Sequence, residues 1–468
     1  VRQADARAAA GPGRAAEGGG VSVRILIGDV RSRLADLPDE SVHCVVTSPP
    51  YFGLRDYGTA SWEGGDPACD HVEKNARNDV SAEDLARRAA QSSAGTGDGS
   101  KVKPMQFKGA CNKCGAIRAD KQIGLEDTPA AFVAVMVEVF REVRRVLRND
   151  GTLWLNLGDS YAVRAQSRSD DYIARTGGNT GLNAKNIRAH ERTGYGDAKQ
   201  KDLLGIPWRV AFALQADGWY LRQDIIWSKP NPMPESVTDR CTKAHEYLFL
   251  LTKSARYHYD AAAIAEAFAD ERMGNPGTYK WKQGEGGVAG GGANSLHKGD
   301  GTVAGWNTDG SKTTRNRRSV WTVATQPFSE AHFATFPPAL IEPCILAGCP
   351  KDCCAKCGAP VVRETEKTVE WPDRRGGKGE NKDRADGGMA CNAERRVTTT
   401  GWSPSCSCDA GTARGVCLDP FGGAGTTGLV ADRHGRDAIL IELNPEYAAI
   451  AERRIAADAG MFAKVAAE

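Results

Sequence analysis

Asp419-Pro420-Phe421-Gly422-Gly423-Ala424-Gly425-Thr426-Thr427-Gly428 decides the fold class. It follows the apolar run Val416-Cys417-Leu418, which reads as a strand, and precedes Leu429 to His434, which reads as a helix. Gly423, Gly425 and Gly428 keep G-x-G-x-x-G spacing, and the next strand, Ala438 to Glu442, ends on an acid. Glycines let backbone N–H groups come close to a ligand, and a carboxylate after the second strand accepts from both hydroxyls of a ribose. The loop therefore predicts a nucleoside cofactor, with nicotinamide and S-adenosylmethionine both open at this point.

The rest of the chain repeats the pattern. Strands are expected at Val23 to Ile27, Val42 to Thr47, Thr152 to Leu157, Tyr220 to Trp227 and Tyr247 to Thr252. Helices are expected from Pro129 after Thr128, from Pro207 to Ala216 and from Pro445 to Ala456. The strands close on Gly-Asp or Pro turns, as in an α/β sheet whose ligands sit at the carboxyl ends of the strands. Residues 52–124, 163–200 and 269–318 are polar, rich in Gly and without period, so they read as insertions. Residues 1–22 read as a disordered tail.

A second motif, Thr47-Ser48-Pro49-Pro50-Tyr51, ends a strand. Two prolines remove two N–H donors and stiffen the turn, leaving carbonyls turned outward. A hydroxyl, a free carbonyl and an aromatic ring on one rigid turn suit a planar ring carrying an exocyclic amine. Ser48 and the Pro49 carbonyl would accept its two N–H bonds, and Tyr51 would stack on it. A plain Pro-Pro strand terminator is the competing reading.

Together the two motifs resemble those of the N4-cytosine/N6-adenine amino-methyltransferases of DNA, with the turn first and the cofactor loop last, as in the family's β arrangement. Trp227 to Asn231, Pro234, Arg240 and His245-Glu246-Tyr247 resemble the family's late catalytic block. His332 to Pro337 resembles the segment lining the methionine end of the cofactor. The resemblance implies a Rossmann-like α/β, S-adenosylmethionine-dependent methyltransferase sheet of the seven-stranded type; it does not cover the tail or the insertions, which are read from their own residues as zinc-binding loops and a target-recognition insertion. Ser48, Pro49, Pro50 and Tyr51 become the expected catalytic turn. Asp29, Phe336, Pro337, Asp419, Pro420, Phe421, Gly423, Gly425, Thr426 and Glu442 become the expected cofactor contacts. Gly158-Asp159-Ser160, another strand end, is expected to help position the site.

The 14 cysteines fall largely into two groups, which argues for metal before disulfides. Cys69, His71, Cys111 and Cys114 offer one tetrahedral set; Cys354, Cys357, Cys406 and Cys408 offer another, with Cys349 and Cys353 as spare candidates. About two structural zinc ions are expected, stapling polar insertions that lack a core. The pair Pro343-Cys344 could suggest carbon-5 methylation of cytosine, but it is followed by Ile345-Leu346-Ala347 and precedes the cofactor loop, so Cys344 reads as core.

These readings divide the chain into a tail (1–22), a catalytic half (23–260) with a zinc-binding insertion at 61–124, a target-recognition region (261–318), and a cofactor-binding half (319–468) with a second insertion at 349–414. DNA contacts are expected from Lys229, Arg240, Lys312, Arg315, Arg317 and Arg318. With 61 Lys and Arg against 59 Asp and Glu, the net charge is only +2, so DNA must be met by a local basic patch. Hydrophobic residues at 41% exclude wholesale disorder. No apolar run approaches the roughly 20 residues of a membrane span, and the first residues lack a secretory apolar core, so the cytoplasm is the expected compartment.

The expected reaction is methyl transfer from S-adenosylmethionine to the N4 amine of cytosine in DNA, because Ser at the first turn position goes with cytosine in the family. N6-adenine methylation, an RNA or protein-amide methylase, and a catalytically silent zinc-bearing DNA-binding protein remain the alternatives.

Overall fold

The computed structural model describes residues 22–53, 61–71, 111, 113–119, 122–162, 198–267, 314–326, 328, 335–370, 394–459 and 464–468. The tail, most of the expected recognition region and Lys312 lie outside the described residues, as do His332, Phe333 and Ala334.

Nine strands form the central sheet: β1 (Ser22–Ile27), β2 (Val42–Thr47), β3 (Leu147–Leu157), β4 (Tyr220–Ser228), β5 (His245–Thr252), β6 (Val320–Thr322), β7 (Val416–Asp419), β8 (Asp437–Glu442) and β9 (Lys464–Ala467). Their order is β6-β4-β5-β3-β2-β7-β8-β1-β9. Every neighbouring pair is parallel except those made by β5, which runs antiparallel to both β3 and β4. The expected seven strands are all present; β6 and β9, of three and four residues, extend the sheet at its two edges.

Among the described residues six helices cover the sheet: α1 (Val30–Ala35), α2 (Pro129–Val146), α3 (Ile206–Ala216), α4 (Pro338–Gly348), α5 (Thr426–Arg433) and α6 (Pro445–Ala459). α2 begins where its sequence dictates: Thr128 caps it, its hydroxyl oxygen accepting from the Ala131 N–H at 3.1 Å, and Pro129 fills the first turn. Strand alternation then divides the apolar residues between two faces. Val45, Leu153 and Leu155 pack with α1, α2 and α3 in one core, whereas Cys44, Val46 and Trp154 pack with α4, α5 and α6 in the other. All six residues of β2 are buried, as a strand covered on both faces requires.

The sheet departs from the order of the chain. β1, at the start of the expected catalytic half, lies between β8 and β9, while β6, from the expected cofactor half, pairs with β4. From β2 the chain moves by way of α2 to β3 on one side; from β7 it moves by way of α5 to β8 on the other. The sheet therefore reverses direction between β2 and β7, where open α/β sheets place their ligands.

α4 escaped the sequence reading because it is apolar nearly all round and carries Pro343 within it, so no amphipathic period marks it. Cys344 is fully buried there, which removes it from any catalytic turn. At the sheet's opposite edge, His43 accepts from the Val416 N–H through Nδ1 (3.1 Å) and donates from Nε2 to the Gly358 carbonyl (2.9 Å). Burial brings its pKa down to about 4, consistent with this neutral tautomer.

Candidate active site

Three parallel strands end together here. β2 delivers Thr47 and the Ser48–Tyr51 turn, β7 delivers Asp419 and the glycine loop, and β8 delivers Glu442. The loop's conformation follows from its glycines: Gly423 and Gly425 have φ of 50° and 76°, where a side chain is strained. A Cβ on Gly425 would stand 2.8 Å from Ala451 Cβ, so the loop lies against α6 only because that position is bare. A Cβ on Gly423 would meet little beyond the Phe421 carbonyl oxygen at 3.9 Å, so this side of the loop is open.

Glu442 accepts from the backbone N–H of Gly423 (2.8 Å) and of Asn444 (2.9 Å), one on each carboxylate oxygen. Burial raises its pKa. Its main-chain carbonyl accepts from the Gly28 N–H, which brings Asp29 alongside. Asp29 caps α1, accepting from the Arg31 N–H at 3.0 Å.

Asp419 is 1% exposed, and its carboxylate is engaged inside the fold. Thr47 donates to Oδ1 and Thr427 to Oδ2, each at 2.7 Å, and the Phe421 N–H donates to Oδ1 at 3.0 Å. Burial pushes its pKa up to about 7. Of the expected cofactor contacts, Asp419 is thus the one whose side chain binds the two motifs together instead of facing outward. Pro337 is buried at the start of α4, with half-buried Phe336 beside it.

Tyr51 lies on the backbone of Gly158, where a Cβ would come within 2.5 Å of the ring. Its hydroxyl oxygen is 2.6 Å from Glu246 Oε2, 3.1 Å from Asn156 Oδ1 and 3.4 Å from Ser48 Oγ. Asn156 was not singled out in the sequence, and Glu246 appeared there only within the His245-Glu246-Tyr247 segment of the resembled catalytic block, without a role of its own. Asn156 carries the clearest signal in retrospect, a polar side chain in the apolar run Leu153-Trp154-Leu155-Asn156-Leu157 that is only 2% exposed. Asp159 accepts from the Ile206 N–H at 3.0 Å and thereby holds the start of α3.

Of the expected DNA contacts, the five among the described residues are engaged within the chain. Lys229 pairs with Glu246 and lies 4.2 Å from the Trp227 ring centre. Arg240 pairs with Glu235 and stacks on Tyr161 at 3.9 Å. Arg315 and Arg318 share Glu266, and Arg317 stacks on Trp321 at 4.6 Å.

Both metal-ligand sets converge. The four ligand atoms of Cys69, His71, Cys111 and Cys114 all lie within 4.8 Å of one another, as do those of Cys354, Cys357, Cys406 and Cys408. A tetrahedral zinc with bonds of about 2.3 Å would space its thiolates about 3.8 Å apart, and Cys69 and Cys111 stand at 3.8 Å. In the second set the backbone N–H groups of Cys357 and Lys356 bring the Cys354 thiol down to about 6, whereas hydrogen bonds with Cys357 and Cys406 push the Cys408 thiol up to about 12. Cys349 and Cys353 fall outside the set: Cys349 is buried beneath β7, and the Cys353 thiol faces the carbonyls of Ala413 and Arg414.

The model of the N6/N4 DNA methylase family matches residues 42–354 and 406–453. The chain is 32% identical over 434 residues to the type II methyltransferase M.SmaI of Serratia marcescens, spanning 93% of this chain and 91% of that protein. It is 34% identical over 440 residues to the type II methyltransferase M.Cfr9I of Citrobacter freundii, spanning 94% and 90%.

The chain belongs to the N6/N4 DNA methylase family.

Among solved structures, this methylase is similar to the PvuII DNA methyltransferase, described as cytosine-N4-specific, at 14% identity and a TM-score of 0.41, over 96% of this chain and 98% of that one. Among its described residues no helix is long and apolar enough to cross a membrane.

Proposed function

We propose that this methylase transfers the methyl group of S-adenosylmethionine to the N4 amine of cytosine in DNA. The Ser48–Tyr51 turn would hold the base, and the Asp419–Gly428 loop with Glu442 would hold the donor. The observation that carries the reading is the 2.7 Å bond from Thr47 to Asp419, which sets the two motifs side by side where the sheet reverses. Similarity to type II methyltransferases over nearly the whole chain supports DNA as the substrate.

The residues at this edge fit the donor. Gly423 leaves its side of the loop open, and each Glu442 oxygen, having accepted one backbone N–H, retains a lone pair for a ribose hydroxyl. The bound donor supplies a methyl group already activated as a sulfonium. The protein's task is then to improve the nucleophile. An aryl amine is weak because its lone pair is delocalised into the ring. Hydrogen bonds accepted by Ser48 Oγ and the Pro49 carbonyl would draw the nitrogen toward tetrahedral geometry and localise that pair. Positioned in line, the amine would bond to the methyl carbon as the carbon–sulfur bond breaks, leaving S-adenosylhomocysteine, and would then lose one N–H proton to solvent, with no covalent enzyme intermediate. The base must leave the duplex first, and stacking on Tyr51 would offset part of that cost.

Ser48 is the reason for choosing cytosine, because Ser at the first position of the turn goes mainly with cytosine in the family. A ring nitrogen stands beside the amine in both cytosine and adenine, so the hydroxyl's hydrogen bonding fits either base and the choice rests on that association. The two cysteine sets would hold about two zinc ions as structural staples. Single-turnover reactions with labelled S-adenosylmethionine and duplex DNA, followed by digestion to nucleosides, test the reading. N4-methylcytosine is expected, N6-methyladenine alone would overturn the choice of base, and no transfer would overturn the activity.

A further inference from the structure

We infer that Glu246 is a positioning residue that, acting through Tyr51, fixes Ser48 as a hydrogen-bond acceptor for the target amine; the inference rests on the amino-methyltransferase reading above. The Tyr51 hydroxyl has one proton and three oxygen neighbours. Asn156 donates from Nδ2 to the Tyr247 carbonyl at 3.0 Å, so its amide is oriented with Oδ1 toward Tyr51, where it can only accept. Glu246 Oε2 is nearer, at 2.6 Å, and the Lys229 ammonium pairs with the other oxygen of the same carboxylate. The phenol proton therefore goes to Glu246, the stronger and closer acceptor.

Ser48 Oγ, at 3.4 Å, meets the phenol oxygen with its own proton. The chain runs Ser48 to Tyr51 to Glu246, with Lys229 donating from the far end. With its proton committed, the Ser48 oxygen offers lone pairs to the amine of a bound base. Reversal of the chain would point the Ser48 proton at the amine nitrogen and compete for the lone pair that has to attack. The pair behind this arrangement is shielded, Lys229 and Glu246 being 17% and 15% exposed, so water is poorly placed to substitute for it.

Glu246→Gln is the discriminating change. Lys229 has only donors, so the new amide must turn its oxygen to Lys229 and its NH2 to Tyr51. Tyr51 then accepts from position 246, which competes with the more distant Ser48 proton for the phenol oxygen, and its own proton is shared between Asn156 Oδ1 and Ser48 Oγ. We expect the single-turnover methyl-transfer rate to fall about tenfold or more, with dissociation constants for S-adenosylmethionine and DNA changed less than about twofold. In a Ser48→Ala background the same change should cost nothing further, because residues acting as one unit are non-additive. Tyr51→Phe, which keeps the ring for stacking and removes the relay hydroxyl, should reproduce the loss. A full rate in Glu246→Gln, a loss confined to DNA affinity, or losses that multiply with Ser48→Ala would overturn the inference. Should Glu246→Gln fail to fold, Tyr51→Phe decides, and an unchanged rate there overturns it. A wild-type protein that methylates no DNA would instead defeat the activity on which the inference rests.

Discussion

Thr47 and Asp419 stand 372 residues apart in the chain and meet through a buried 2.7 Å hydrogen bond. One ends the strand that carries the catalytic turn; the other begins the cofactor loop. Thr427, at the first turn of α5, closes the arrangement from the second carboxylate oxygen. The relative position of the two motifs is thus set by one carboxylate with three donors, of which the Thr47 and Thr427 hydroxyls are buried.

Asp419→Ala should therefore destabilise the protein by about 2–4 kcal/mol, since it takes the acceptor from the buried Thr47 hydroxyl and from the Phe421 N–H, leaves Thr427 only the Val46 carbonyl at 3.2 Å, and opens a cavity. Asp419→Asn should be milder and should change how stability depends on pH. Burial raises the folded-state pKa from 3.8 to about 7, so between these values the unfolded chain loses a proton that the folded chain keeps. Stability contributed by the protonated form is complete below pH 3.8 and is lost as pH rises toward 7. The stability of the Asn variant relative to wild type should increase across that interval and level off above it. Denaturant titrations at several pH values check this; a flat difference would defeat it.

Gly158→Ala tests the seat of Tyr51. A methyl group there would stand 2.5 Å from the ring and push it away from Asn156 and Glu246. Displacement of about 1 Å at a reacting centre can cost about 10²-fold. We expect kcat to fall by at least tenfold with S-adenosylmethionine affinity retained, as measured by stopped turnover and calorimetry.

Much of this arrangement was legible beforehand because it is written locally. Each strand that builds the site closes on its own turn signal, Gly28-Asp29, Ser48-Pro49-Pro50 or Gly158-Asp159. The cysteine sets were legible from spacing, but the choice of Cys354 over Cys353 depends on which thiol turns inward in the strand 352–354. The role of Glu246 was not legible, because it depends on β5 running antiparallel. That direction brings the first residues of β5 to the edge where every parallel strand ends, with Tyr247 opposite Leu157. No local pattern encodes the pairing. The bonds of Asp419 were not legible for a related reason: the motif identifies the residue, but only the packed fold reveals that its carboxylate points inward to Thr47 and Thr427.

The cysteine sets lead to a metal prediction. Elemental analysis should return about two zinc ions per chain. Cys111→Ser and Cys357→Ser should each lower the count by about one, leaving the other site filled. Chelation should lower the melting temperature, because binding energy at such sites is folding energy. Protein purified without chelator that contains no zinc would overturn both sites.

Gly423 and Gly425 are two residues apart and should fail in different ways when replaced by Ala. Both have positive φ, which costs an L-residue about 1–2 kcal/mol. At Gly425 the added Cβ also falls 2.8 Å from Ala451 Cβ and 3.1 Å from Ile455 Cδ1. α6 would have to move, adding about 1–3 kcal/mol of overpacking. Gly425→Ala should therefore appear mainly as lost stability. At Gly423 no neighbour is displaced, and the methyl group projects into the open side of the loop, where the donor is proposed to bind. Gly423→Ala should keep most of its stability and lose S-adenosylmethionine affinity, by about tenfold or more if one close backbone contact is blocked. Melting curves and calorimetric titrations of both variants separate the two effects. Equal affinity in Gly423→Ala and wild type would remove the donor from this face of the loop.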